Sequence, residues 1–387
     1  MSDTSSQAQP ARFRAIEAAP IPTRYARGWH CLGPASMFKD GKPHAIEAFG
    51  TKLVVFQSED GKLNVLNAHC LHMGGDLSDG RIEGNAIACP FHDWRWNGKG
   101  ECVLVPYSKR IPQGAQTRAW ETREINKHLI IWHDPEGLPP DVEVPRIPGA
   151  YSDEWSEDWE WGETIIENHP RELIDNLVDM PHFFYVHGER QGGTIPGYFK
   201  NIFENHVATQ IMEYESGNIA PAYNRDIHYE GDPEKIHGVL RSESTWNGPA
   251  YSVDYLWWRF PEIGVLYSVL FLSILPITPT KFRLGLGVLT HRKPGLSAEE
   301  SLKRHKANFE GLKYSTYQDV RIWERKARID NPLATEEDGP IYRLRAWYDQ
   351  FYVDRAEVRP QSTARFEMEV DTSYAASVWE TEIAAKA

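Results

Sequence analysis

The chain has 387 residues, 41% hydrophobic and 25% charged, a balance that fits a folded globular protein long enough for two cores and excludes a disordered or low-complexity chain. A formal net charge of -13 argues against nucleic acid as a partner, because phosphate backbones are held by basic patches. Four cysteines in such a length suit a reducing cytoplasm better than a disulfide-stapled secreted domain.

The opening MSDTSSQAQPARFR lacks the apolar stretch of a secretory signal, so residues 1–26 are expected to form a flexible lead. From residue 27 short alternating apolar segments predict a small β domain, with TKLVVFQ, SEDGK and LNVLNAHC reading as a hairpin. This hairpin feeds CLHMGGDLSDGRIEGNAIACPFH, which opens on Cys70 and His72 and closes on Cys89 and His92. Prolines crowd DPEGLPPDVEVPRIPG, so an extended connector is expected at 134–149, with the first domain covering 27–149 and a second covering 150–387. In the second half PRELIDNLVDM predicts a helix starting at Pro170, with Glu172, Asn176 and Asp179 on one polar face. The run IGVLYSVLFLSILPI is too short for a membrane helix and predicts a buried strand pair, so no membrane span is expected. Ser297 and Glu300 have capping-box spacing at the start of a long helix. The second half is therefore expected to be α+β.

Two cysteines and two histidines can complete a structural zinc tetrahedron. Zinc fingers, however, pair like with like, whereas here each loop supplies one thiolate and one imidazole. Mixed pairs suit a [2Fe–2S] cluster with two thiolates on one iron and two imidazoles on the other, the Rieske arrangement. His69 is out of phase with the pairs, and Cys31 and Cys102 are expected to be buried thiols.

A second metal site is suggested by DMPHFFYVH, where Pro181 is expected to break or kink the helix before His182 and His187. Two imidazoles flanking an aromatic run can supply the histidines of a 2-His-1-carboxylate iron site. The better candidate carboxylate is Asp319 in YSTYQDVRIWERK, which interrupts an apolar helical face formed with Leu312, Ile322 and Trp323. An arginine partner for Asp319 is the structural alternative.

Cys-x-His-x16-Cys-x-x-His followed by Asp-x-x-His-x4-His and a later helical Asp resembles the terminal oxygenases of the Rieske non-haem iron family. Nearly the whole chain resembles the 3-ketosteroid 9α-hydroxylase group within it, through PTRYARGWHCLG, ACPFHDWRWNGKGECVLVPY, DMPHFFYVH and RIDNPLATEEDGPIYRLRAWYDQFYVD. The resemblance implies a Rieske β domain followed by a helix-grip (START-like) catalytic domain. It implies that Cys70, His72, Cys89 and His92 bind the cluster, that His182, His187 and Asp319 bind a mononuclear Fe(II), and that Asp179 bridges the two. It further implies a homotrimer, a flavin and iron–sulfur reductase fed by NADH, and hydroxylation of a 3-ketosteroid at C9 with O2. Respiratory Rieske proteins carry an extra cysteine in each loop and a hydroxyl on the cluster; Gly75, Phe91 and Trp94 stand thereabouts here, so a potential at the low end of the Rieske range is expected.

The alternatives are a Rieske oxygenase or demethylase acting on another apolar substrate, and a non-catalytic iron–sulfur or zinc module. LWWRF and VLYSVLFLSIL could line an apolar pocket or belong to ordinary core. The glycine-rich GERQGGTIPGYFKN directly after His187 could serve as a lid or a surface loop.

Overall fold

The computed structural model describes residues 14–188, 195–216, 238–260 and 264–386. Residues 14–26 carry no helix or strand, yet they are not loose: the Glu17 and Ala19 amides donate to Asn331 and Asp330, and Ala26 is buried. The rest of the expected lead lies outside the described residues, as do 189–194 of the glycine-rich segment after His187.

The first half is built from β1 (Gly28–Pro34), β2 (His44–Ala48), β3 (Thr51–Gln57), β4 (Leu63–Asn67), β5 (Arg81–Glu83), β6 (Ala86–Ala88), β7 (Arg95–Asn97), β8 (Cys102–Leu104), β9 (Thr122–Ile125) and β10 (His128–His133). They form three small sheets, ordered β1-β10-β9, β2-β3-β4 and β5-β6-β7-β8. The expected hairpin is β3–β4, paired from Leu53↔Asn67 to Gln57↔Leu63, and Gly61 at φ 85° makes its turn. Leu53, Val54, Val55 and Phe56 are all fully buried, because the strand is sandwiched between two apolar clusters.

Of the connector expected to be extended over 134–149, Asp134 to Ile147 carries no helix or strand, but it opens on a turn in which the Gly137 amide donates to Asp134, and Pro148 and Gly149 begin a 3-10 helix; it is pinned along its length. Asn126 donates to the Pro145 carbonyl and accepts from the Ile147 amide, both at 2.8 Å, while the Trp29 and Trp132 indoles donate to Val142 and Leu138. The prolines leave few amide donors, so side chains from the first half satisfy the connector's carbonyls instead.

The second half is one eight-stranded antiparallel sheet of β11 (Glu160–Ile166), β12 (Tyr198–Glu204), β13 (Val207–Ser216), β14 (Gly238–Asn247), β15 (Tyr251–Phe260), β16 (Gly264–Thr278), β17 (Lys281–Thr290) and β18 (Phe366–Glu369), ordered β11-β17-β16-β15-β14-β13-β12-β18. The apolar run expected to be a strand pair is the single strand β16, whose pairing with β17 shifts between Pro276 and Thr278. Its length follows from burial on both faces. Val269 and Phe271 pack with Trp29, Ile130 and Trp132 of the first half, whereas Leu270 and Leu272 pack toward the helices on the other side. Phe271 is completely buried, and its truncation to alanine would cost about 3–5 kcal/mol.

The helical layer holds α1 (Arg171–Ile174), α2 (Met180–His182) and α3 (Ala298–Trp323). Ser297 and Glu300 form the expected capping box, which fixes where α3 begins. From α3, Phe309 and Leu312 pack on Leu286 and Val288, and Val320 and Trp323 pack with Ile274 and Phe282. Ile322 departs from expectation: it is 44% exposed, because it lies one position round from the buried stripe. No helix among the described residues is long and apolar enough to cross a membrane.

Candidate functional site

The first ligand loop leaves β4 and turns back on itself, with the Cys70 amide donating to the Gly75 carbonyl and the Gly74 amide to Cys70. Asp76 fixes this turn, accepting from the Ser78 amide and hydroxyl and pairing with Lys52. The second loop repeats the pattern between β6 and β7: the Cys89 amide donates to Trp94 and the Asp93 amide to Cys89. Both cysteines are 2% exposed, and burial, with Cys89 adding to it, pushes the Cys70 thiol up. The His72 and His92 rings sit 4.6 Å apart, partly exposed, and His72 stacks flat on Trp94.

These residues fit a cluster with two thiolates inside and two imidazoles toward the surface. His72 Nδ1 is buried with no hydrogen-bond partner, which costs free energy unless a ligand takes it. Gly75 is required for a steric reason, since a Cβ there would stand 2.7 Å from Cys89 Sγ. His69 is exposed, and Cys31 and Cys102 are buried thiols, as the sequence suggests. Leu71, Met73, Phe91 and Tyr107 are all more than half exposed around the imidazoles.

In the second half the helix expected over PRELIDNLVDM is interrupted. After α1 it tightens into a 3-10 turn at Asp175–Leu177, and Asp179 is non-helical. Pro181 therefore sits in the first turn of a new helix rather than breaking an old one. Asp179 caps that helix, its carboxylate accepting from the His182 amide at 3.3 Å, while its own carbonyl accepts from His182 Nδ1 at 2.5 Å. The chain then widens into a π-helical turn, Phe183–Gly188, a geometry frequent at functional sites, and this carries His187.

The polar face expected on this segment is only partly solvated: Glu172 is buried, while Asn176 and Asp179 are half-buried. Glu172 is fully buried against Arg171 and Lys326, and Asn176 accepts from the Trp323 indole.

The ligand atoms of His182, His187 and Asp319 lie within 4.8 Å of one another. Asp319 Oδ2 is 3.2 Å from His187 Nε2, so the histidine, not an arginine, is its neighbour, and its Oδ1 is buried without a partner. Nδ1 of His187 meets Gln318 Oε1 at 3.1 Å and Ser315 Oγ at 3.2 Å, as Nδ1 of His182 meets Asp179. With both Nδ1 atoms engaged, Nε2 is left as the ligand atom of each ring. Burial pulls the pKa of His182 down, against lifts from Asp319 and Asp179; in His187 burial is outweighed by Asp319, which raises it. Two imidazoles, one carboxylate and an orphaned oxygen fit a 2-His-1-carboxylate metal.

The three residues open onto a cavity of about 170 Å³. Leu256 and Trp258 from LWWRF and Leu270 and Leu272 from VLYSVLFLSIL line it, the alternate residues of each strand facing away. Sequence reasoning missed Gln318 and Ser315, and also Gln210, Ser244 and Asp254 of the cavity wall. Strand alternation in YSVDYLWWRF, which sets Asp254 in phase with Leu256 and Trp258, was the available signal. A larger, open groove of about 1000 Å³ lies among charged residues such as Glu154, Asp158, Arg292 and Arg304, and none of the seven candidate ligands lines it.

Residues 28–115 match the Rieske [2Fe-2S] domain, and residues 131–352, more than half of the chain, match the 3-ketosteroid 9alpha-hydroxylase C-terminal domain. The chain is 48% identical to a 3-ketosteroid-9-alpha-monooxygenase oxygenase component of Rhodococcus rhodochrous, over 96% of this chain and 93% of the relative. It is 46% identical to the one from Mycobacterium tuberculosis, with the same coverage of both. Among solved structures, dicamba monooxygenase bound to 3,6-dichlorosalicylic acid superposes with a TM-score of 0.66 at 17% identity, covering 86% of this chain and 99% of that one, which shows the fold. On these matches the chain belongs to the 3-ketosteroid 9α-hydroxylase family of Rieske oxygenases.

Proposed function

We propose that this protein is the terminal oxygenase of a Rieske monooxygenase that hydroxylates a 3-ketosteroid at C9, drawing electrons from an NADH-dependent flavin and iron–sulfur reductase. The observation that carries the reading is the triad His182, His187 and Asp319 on the wall of an apolar cavity, in a chain that also carries the paired Cys–His loops. Cys70, His72, Cys89 and His92 hold the cluster, and the triad holds a mononuclear iron. When bound, the cluster supplies single electrons and the iron supplies the centre that activates O2.

The protein's own groups prepare the site. Asp179 grips His182 twice, which fixes the ring's tautomer and direction, and Gln318 and Ser315 do the same for His187. Met212, Leu240, Leu256, Trp258 and Leu270 exclude water from the cavity and suit a neutral fused-ring substrate. The overall reaction balances as substrate, O2, NADH and a proton going to hydroxylated substrate, water and NAD+.

We also assign 27–149 as the Rieske unit, with its connector at 134–149, and 150–387 as the catalytic unit. That division is supported by the closure of β1–β10 among themselves and of β11–β18 in one sheet. Homotrimeric assembly is supported by the exposed apolar rim at the cluster loops, and a cytoplasmic setting by four cysteines of which none is joined in a disulfide. Asp179, partly exposed beside an iron ligand, is the residue through which a neighbouring subunit's cluster would address the iron.

Purified oxygenase, a flavin and iron–sulfur reductase, NADH and a 4-ene-3-ketosteroid should together give one 9α-hydroxylated product, with oxygen from O2. Turnover of aromatic ethers or amines in place of steroids, or oxygen at another carbon, would overturn the substrate assignment.

A further inference from the structure

The cavity wall is not uniformly apolar. Across β13, β14 and β15, Gln210 stands directly opposite Ser244, and Ser244 directly opposite Asp254, so three polar side chains form one cross-strand rung. All three line the cavity, and the strand beyond continues the rung with Leu270. The neighbouring rungs are Met212–Ser242–Leu256 on one side and Ala208–Trp246–Ser252 on the other, each with two apolar side chains and one serine. A polar row in this setting costs desolvation unless a ligand repays it.

The row is also incompletely satisfied. Gln210 is 1% exposed, and its amide nitrogen has no hydrogen-bond partner. Asp254 Oδ1 accepts from the Ser242 hydroxyl at 2.8 Å, which leaves its second oxygen for the cavity. Nothing cationic is paired with this carboxyl among the described residues. Burial raises it to about 7, Glu243 on the far face of β14 adds to the rise, and Ser242 opposes it. Tyr214 on β13 is raised by burial and by Asp254 in turn, and Asp319, His182 and His187 border the same cavity from the helical side. A neutral carboxyl has an O–H to donate, so with the Gln210 amide the rung offers two donors, the number a carbonyl oxygen can accept.

We infer that the rung Gln210–Ser244–Asp254 reads a carbonyl oxygen of the substrate, with the Gln210 amide and the Asp254 carboxyl as its donors. This rests on the oxygenase reading above and adds to it the residues that choose the substrate. Asp254 is a binding group and takes no part in the oxygen chemistry. The carbonyl can lie at either end of a fused-ring skeleton, and substrates lacking one or the other tell which.

The test uses the reconstituted holoenzyme with a 4-ene-3,17-dione and two analogues, one without the 3-oxygen and one without the 17-oxygen. In the wild type one deletion should lower kcat/KM by about tenfold or more, because a site built to hydrogen-bond an oxygen is left unpaired without it. Asp254→Leu and Gln210→Leu should lower kcat/KM on the dione by a similar factor and no longer tell the dione from that analogue. Cluster spectrum and iron content should be unchanged. Asp254→Asn, whose amide also donates, should keep the discrimination. Its KM should be flat with pH, whereas the wild-type KM should climb as pH rises through about 7.

Leucine variants that keep the wild-type discrimination, or a wild type indifferent to both deletions, would overturn the rung assignment while steroid turnover stood. Failure of the wild type to hydroxylate any of the three would instead remove the oxygenase reading, and the rung with it.

Discussion

Gln318 Oε1 lies 3.1 Å from His187 Nδ1, one residue before the carboxylate that faces the same ring's Nε2. A single turn of α3 thus holds both sides of one imidazole: Gln318 and Ser315 from outside the triad, Asp319 from within. Groups that fix a ligand ring from behind typically change metal affinity by about 10- to 100-fold. Gln318→Leu combined with Ser315→Ala should weaken mononuclear iron binding by that order, measured by iron retention against a chelator, with the cluster's visible spectrum unchanged.

Asp319 and Asp179 should separate in their effects. Asp319→Ala removes a ligand and should release the mononuclear iron while the cluster stays. Asp179→Asn keeps a side-chain oxygen to cap the His182 amide, so both metals should remain bound. Without the carboxylate charge, turnover with the reductase should fall at least 100-fold. Normal turnover by Asp179→Asn would end its assignment as the bridge.

Gly75 gives a prediction confined to the other metal. An alanine methyl would sit 2.7 Å from Cys89 Sγ and 3.2 Å from Phe91 Cβ, and both loops are pinned by backbone hydrogen bonds, so neither can yield cheaply. Gly75→Ala should lose acid-labile sulfide and visible absorbance while retaining one iron per chain at His182, His187 and Asp319.

Much of the site's geometry was legible in the sequence because the candidate ligands come as short-range pairs. Cys70 with His72, Cys89 with His92, and His182 with His187 are each set by one loop, and Asp319 interrupts a helical stripe that periodicity reveals. What stayed hidden depends on long-range register. Asp254 acquires its meaning from Ser244 and Gln210, which reach it only through the pairing of β13, β14 and β15. The helix expected over residues 170–180 failed for a local reason: Asp179 adopts a non-helical conformation to cap the next turn, and capping can restart a helix within one continuous apolar pattern. The long apolar run read as two strands because its burial on both faces, by the first half and by the helices, is a tertiary fact.

Acid should destabilise the fold through buried neutral histidines. Burial lowers His30 to about 4 and His128 and His133 to about 3. In the unfolded chain these rings titrate near 6.5, so between roughly 6.5 and 4 the unfolded state takes up protons that the folded state refuses. Their contribution is complete above pH 6.5 and is lost as pH falls toward the folded values. The urea midpoint should therefore drop progressively from pH 7 to 5. His128 stacks on Phe271 at 4.3 Å and its Nε2 has no partner, so His128→Phe should fold and show a shallower pH dependence. An unchanged slope would show that His128 does not contribute.

The electron path follows from where the two metal sites stand. The cluster loops lie in the small sheets of the first half, and the triad lies in the helical layer of the second. The two halves pack against each other through Trp29, Ile130 and Trp132 on Val269 and Phe271, which fixes the cluster loops relative to the triad. Around the partly exposed His72 and His92 the rim of Leu71, Met73, Phe91 and Tyr107 offers an apolar surface for a second copy. A ring of three with heterologous contacts would place each such rim against the next subunit's Asp179, and catalysis would then belong to the interface. Two inactive variants should rescue each other. Cys89→Ala lacks a cluster but keeps the triad, and Asp319→Ala keeps the cluster but lacks the iron, so mixed trimers contain interfaces with a working half from each. Either variant alone should be inactive, and the co-expressed mixture should regain partial steroid hydroxylation. Mixed trimers verified by two affinity tags that stay inactive, beside wild-type trimers carrying the same tags that turn over, would place the electron path within a single chain.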